Sequence, residues 1–186
     1  MIINFPSSQQ CMVNVLAGLR RDLEHSASGA ANAIRRTAGF ADTMAALVGV
    51  HAGLCGDDAP TPQELADFEI AVAALLQEDQ PALSLYIGET LTETFRARSG
   101  GWFEPSLRRS ALQLLCDQYP GVANRLSEDN REDLAEIDQT LREVAPDIEP
   151  LAEEEIPTGL PESHWWWRLP SGNSADVEEW EMWDEL

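Results

Sequence analysis

Glu89 and Glu93 lie four residues apart in a stretch with helical periodicity, so their carboxylates share one helix face. Neighbouring carboxylates can divide general acid and general base work if their surroundings push their proton affinities apart. The same spacing also describes a solvated helix face. Arg96 stands three residues after Glu93, within reach of an ion pair. The histidines are His25, His51 and His164, and the cysteines are Cys11, Cys55 and Cys116. None of these stands at the short intervals of a zinc site, and an odd, dispersed set of cysteines builds no disulfide framework. No serine-nucleophile elbow, phosphate loop or dinucleotide fingerprint occurs. The expectation is a chain that is not an enzyme and needs neither cofactor nor metal.

The residue types that stand out are those of a binding surface. Five of the six tryptophans follow Pro146, three of them consecutive in SHWWWRLP, residues 163–170. In an extended segment Trp165 and Trp167 share one face and Trp166 takes the other. One face can then pack on the body of the protein while the other meets a partner; alternatively all three pin the segment to its own core. Further on, Trp180 and Trp183 stand at helical spacing among Glu178, Glu179, Glu181, Asp184 and Glu185. Such a segment suits entry into a basic cleft. Tryptophan and arginine are the usual anchors of protein interfaces. The expected partner-contacting residues are therefore Trp165, Trp167, Arg168, Glu178, Glu179, Trp180, Glu181, Trp183, Asp184 and Glu185.

Charge points the same way. Over 186 residues there are 33 acidic and 12 basic residues, a net charge of −21, and every basic residue is arginine. Residues 127–186 alone hold 19 acids and three arginines, a net of −16. That field repels phosphate backbones, which argues against direct nucleic-acid binding. It attracts basic protein surfaces and speeds encounter with them. Eight arginines come as close pairs (20/21, 35/36, 96/98, 108/109), and the forked guanidinium is suited to fixed pairing with carboxylates. The unpaired cysteines fit a reducing cytoplasm, and the first residues carry no signal-peptide pattern. The apolar stretch 38–55 contains Asp42 and His51 and reads as a buried helix rather than a membrane span.

The positioning elements read as helices. Ser7 or Ser8 caps one that starts near Gln9, with Val15, Leu16, Leu19 and Leu23 at helical spacing. A second runs from about Ala30 to Gly53. Thr61, Pro62 and Glu64 form a capping box before Leu65, Phe68, Val72, Leu75 and Leu76. Leu83, Ile87, Leu91 and Phe95 mark the next helix, ended by Gly100 and Gly101, and Trp102 and Phe103 open a short extended piece. A helix follows with Leu107, Ala111, Leu114 and Leu115. The last, capped by Ser127, buries Leu134, Ile137, Leu141 and Val144 and stops at Pro146. Five prolines between 146 and 170 preclude a long helix beyond it. The fold expected is mainly α: one domain of five to six helices over residues 1–145. Residues 146–186 form an acidic, Pro/Trp-rich extension docking on the domain or on a partner, with strand-like pieces near 100–104 and 164–169.

Two segments carry a resemblance. Tyr86, Gly88, Glu89, Gly100, Gly101 and Trp102 resemble a Tyr-x-Gly-Glu, helix, Gly-Gly-x-Trp pattern of small bacterial domains of unknown function; here Trp102 follows Gly101 directly, without the intervening residue. GLPESHWWWRLP, residues 159–170, resembles tails of immunity proteins of secreted and contact-dependent bacterial toxin systems. The resemblance implies a cytoplasmic protein that binds a cognate toxin and blocks its active site. Nuclease toxins are basic because their substrate is anionic, so an acidic chain suits one of these. The alternative is a DNA mimic that blocks a nucleic-acid-binding protein.

Overall fold

The computed structural model describes residues 5–27, 33–56 and 59–169. They form seven α-helices: α1 Ser8–Ala27, α2 Ala33–Ala52, α3 Pro62–Glu78, α4 Gln80–Gly100, α5 Phe103–Gln118, α6 Val122–Arg125 and α7 Glu128–Val144. Single 3-10 turns follow at Ala145–Asp147, Glu153–Glu155 and Trp165–Arg168. No strand occurs among the described residues. The fold is mainly α, and the one-turn α6 accounts for the helix beyond the five or six expected. No described helix is long and apolar enough to cross a membrane.

Local chemistry sets the helix starts. Gln10 N–H donates to Ser7 Oγ at 3.3 Å, so Ser7 is the first cap. Ser8 turns inward and donates to the Val50 carbonyl at 3.0 Å, tying the start of α1 to the end of α2. Thr61 makes both bonds of its capping box, from Glu64 N–H at 3.3 Å and to Glu64 Oε2 at 2.8 Å. Ser127 Oγ accepts from Asn130 N–H at 3.1 Å. Only Asp79 separates α3 from α4, where Pro81 sits in a first turn that needs no donor.

Cys11, Val15 and Leu19 of α1 face Phe40, Met44, Leu47 and Val48 of α2 across the core. At Gly18 a Cβ would collide with the Thr43 side chain, so the absence of one lets these helices approach closely. α5 is buried nearly all round, from Pro105 through Leu107 and again from Arg109 through Leu112. A helix buried on every side lies at the centre of its fold. α5 touches α2, α4, α6 and the 165–168 turn.

Three expectations are corrected. Trp102 and Phe103 are not extended: α5 starts at Phe103, because Pro105 is tolerated in a first turn and Ser106 N–H closes on the Trp102 carbonyl at 3.3 Å. Residues 165–168 are a 3-10 turn rather than a strand, with Trp167 N–H bonded to the His164 carbonyl at 3.3 Å. Phe95 is 56% exposed, and α4 instead buries Leu83, Tyr86, Ile87, Thr90, Thr94 and Ala97. Thr90 and Thr94 can be buried because each hydroxyl donates to the carbonyl four residues earlier, at 2.7 and 2.8 Å.

Beyond α7 the chain returns across the body as a strap, residues 146–169. Gly159 has a φ of 83°, and a Cβ there would lie 2.8 Å from the Ala52 carbonyl oxygen. Gly121 has a φ of 76°, but its nearest neighbour would be the flexible end of Arg125 at 3.5 Å. Gly159→Ala is expected to cost about 2 kcal/mol or more, and Gly121→Ala about 1 kcal/mol, the left-handed strain alone. Urea unfolding of both variants checks the order.

Candidate functional site

The strap's hydrogen bonds to α5 converge on one atom. Ser110 is fully buried, and its Oγ lies 2.9 Å from Trp166 Nε1, 2.7 Å from Trp167 Nε1 and 3.1 Å from His164 Nδ1. An indole N–H only donates, so the two tryptophans occupy both lone pairs of the hydroxyl. The Ser110 proton then goes to His164 Nδ1. His164 is therefore neutral, with its own proton on Nε2, an atom that is buried without a hydrogen-bond partner among the described residues. Burial, and after it the Arg109 guanidinium, lower the His164 pKa from 6.5 to about 4.

The surrounding groups fix the rings. Trp102 Nε1 donates to the Trp166 carbonyl at 2.6 Å. His164 stacks on Trp166 with centroids 4.9 Å apart, and Phe103 tilts against Trp167 at 5.4 Å. Arg109 lies over the Trp166 ring at 4.6 Å and grips Asp138 of α7 with two bonds, at 2.6 and 2.9 Å. α5, α7 and the strap are thus tied through one cation and one hydroxyl.

This arrangement sorts the residues expected at a partner surface. Trp167 is 2% exposed and Trp166 1%, so these neighbours both enter the core instead of taking opposite faces, as the tight 3-10 turn permits. Trp165 is half-buried, its edge on Trp166 and one face under Arg142 of α7 at 4.6 Å. Arg168 is exposed. Trp165 and Arg168 therefore lie on the strap's outer side, with Arg142 of α7 over the Trp165 ring. Glu178, Glu179, Trp180, Glu181, Trp183, Asp184 and Glu185 lie outside the described residues.

The other candidates each have a local partner. Glu93 pairs with Arg96 at 2.9 Å, while Glu89 lies 3.9 Å from Arg108, which bonds Glu104 at 2.7 Å. The two carboxylates are thus held by different arginines rather than sharing a proton. Arg108 also lies 5.4 Å from the Tyr86 ring centroid. His51 Nε2 is 3.0 Å from the Tyr119 hydroxyl, and burial lowers its pKa to about 4. His25 Nδ1–H donates to the Arg21 carbonyl at 2.6 Å. Among the described residues no three His, Cys, Asp or Glu side chains are grouped to hold a metal ion.

A second surface lies on α7. Ile137, Leu141 and Val144 face the core, while Glu128, Glu132, Glu136 and Glu143 line the exposed side. Glu128, Glu132 and Glu136 repeat every fourth residue, a rise of about 6 Å each. Among the described residues none of these three makes an ion pair. The arginines of α7 are engaged elsewhere, Arg131 with the Ala123 carbonyl at 3.4 Å and Arg142 with Trp165.

Sequence reasoning missed Ser110, Asp138 and Trp102; it marked the 108/109 arginines for fixed pairing with carboxylates, as Arg109 pairs with Asp138, but not as part of this site. The available signal was a serine and an arginine embedded between Leu107 and Ala111, inside an apolar helix pattern. Comparison with protein families, curated proteins and solved structures finds no match for this chain.

Ser110→Ala removes the acceptor of two buried indoles and the donor to His164. It is expected to cost about 3 kcal/mol or more in urea unfolding, since each stranded buried group costs about 1–3 kcal/mol. A loss under about 1 kcal/mol would show that the strap does not depend on this hydroxyl. His51 has a folded pKa of about 4 against 6.5, so the unfolded chain binds more protons between these values. Its contribution is whole above pH 6.5 and declines as the pH falls to about 4, by about 3 kcal/mol in all. His51→Asn should flatten that part of the stability–pH curve.

Proposed function

We propose that the chain is a protein-binding inhibitor of the immunity type, which presents its acidic surface to a basic cleft of a cognate bacterial toxin and occludes the active site. A nuclease-type effector in the cytoplasm is the partner this reading favours. The observation that carries it is the α7 row: carboxylates fixed on a helix whose opposite side is locked into the core, with no arginine spent on neutralising them. Fixed charges of one sign steer a partner of the other sign and set its orientation. Trp165, Arg142 and Arg168 add an aromatic–arginine spot near the same helix, the residue types that anchor interfaces. The acidic tryptophan segment 176–186, outside the described residues, is counted as a further contact for its residue types alone. Trp167 is left out of the contact set because it is an internal anchor.

The regular spacing along α7 favours one second reading, a DNA mimic. A straight row of carboxylates on a rigid helix can stand in for a strand of phosphates before a nucleic-acid-binding cleft. The two readings differ in breadth, since a mimic engages several basic proteins and an immunity protein one.

The test is capture on the immobilised protein from the source organism, followed by titration of each purified partner. One basic enzyme, held and inhibited at equal stoichiometry, is the expected result. For that partner, replacing Glu128, Glu132 and Glu136 together by Gln should weaken binding about tenfold or more at low salt, and flatten its salt dependence with little loss of stability. Several nucleic-acid-binding proteins released together by salt would favour the mimic. Unchanged affinity in the triple variant would overturn α7 as the contact surface.

A further inference from the structure

We infer that the strap is a proton-operated latch: protonation of His164 breaks the three-way bond at Ser110 and frees residues 160–169 from α5 while the helices persist. The inference is independent of the binding reading.

The geometry leaves His164 no way to accept a proton in place. Ser110 Oγ spends both lone pairs on Trp166 and Trp167, so the only bond it can make to His164 is as donor to Nδ1. A proton on Nδ1 would point at that hydroxyl and find no lone pair. At least one indole must then leave, stranding its N–H. The other ring nitrogen gives no relief, because Nε2 is already buried without a partner.

The neighbouring charges reinforce this. Arg109 of α5 lies against the same cluster and His51 at the end of α2 acts on it more weakly; both oppose a positive charge on His164. Asp117 of α5 favours one. Asp138 of α7 is held by Arg109 in a two-bond pair and is committed there. Docked, His164 titrates at about 4; freed into water, it returns to 6.5. The freed strap therefore binds more protons throughout that interval, and docking weakens about tenfold for each pH unit lost between 6.5 and about 4.

The strap can open as a unit because side chains hold it. Residues 160–169 contribute no long helix, and their described hydrogen bonds to the body run through Trp102 and Ser110, beside the Phe103 ring and the guanidiniums of Arg109 and Arg142; the Arg98–Asp147 pair lies upstream of this segment. Its release bares Trp166, Trp167 and the Ser110 face of α5, an aromatic surface hidden at neutral pH.

The experiment is an acid titration of the full chain from pH 8 to pH 3, following tryptophan emission and far-ultraviolet circular dichroism together. A red shift of emission between pH 6.5 and pH 4 that precedes loss of the helical signal is expected. His164→Asn keeps an acceptor near the Nδ1 position that takes up no proton, and should move the red shift down by at least one pH unit. Should that variant not fold, nitrogen-15 shifts of His164 in the unaltered protein decide: an Nε2–H tautomer at neutral pH, with protonation tracking the emission change, is required. An Nδ1–H tautomer, emission and helix signals that change together, or a folded Asn variant with an unmoved transition would overturn the latch.

Discussion

A hydroxyl placed in the middle of a helix buried on all sides must find partners inside the protein, because water cannot reach it. Ser110 is that group, and it lies on the central helix, α5. What reaches it is not another helix of the body but the strap, which brings two indoles and an imidazole to a single oxygen. The strap thereby completes the core. A proline-rich segment with little regular backbone bonding needs side-chain anchors to stay in place, and consecutive tryptophans on a tight turn supply them. Arg109 carries the same constraint outward: a buried guanidinium requires a carboxylate, and Asp138 provides it from α7.

This division of labour shapes the surface. The tryptophans that look most available in the sequence are largely consumed inside the chain, so the described surface near the strap is charged more than aromatic. α7 has two faces, one fixed by Ile137, Leu141, Val144 and the Asp138 pair, the other a row of glutamates. The carboxylates inherit the rigidity of the helix beneath them. Glu128 and Asp129 also lie in its first turn, where negative charge stabilises the helix N-terminus, so part of the acidity serves α7 itself.

Much of the fold was legible because helix caps and apolar spacing act locally. The Thr61 box, the Ser127 cap and the Leu65–Leu76 stripe need only a few residues to declare themselves. The misplaced features depend on partners distant in sequence or on self-satisfied polar groups. Thr90 and Thr94 look like surface residues, yet their hydroxyls bond back to their own helix, so the buried face of α4 differs from its most apolar one. Trp102 precedes a helix instead of opening a strand because Pro105 occupies a first turn where a missing donor costs nothing. The tryptophan turn was recognisable as an anchor, but the atom it anchors to is over fifty residues away and carries no mark of its own. Of the expected contact residues, Trp165 and Arg168 lie toward the surface and Trp167 does not.

The measurement that most directly tests this account is solvent exchange of the tryptophan indole protons by nuclear magnetic resonance at neutral pH. If the strap completes the core, the Trp166 and Trp167 indole protons exchange far more slowly than a water-exposed indole, and that of Trp102, which bonds the Trp166 carbonyl, is protected with them. Exchange at Trp166 and Trp167 as fast as that of a water-exposed indole would contradict it: the strap would lie off the body.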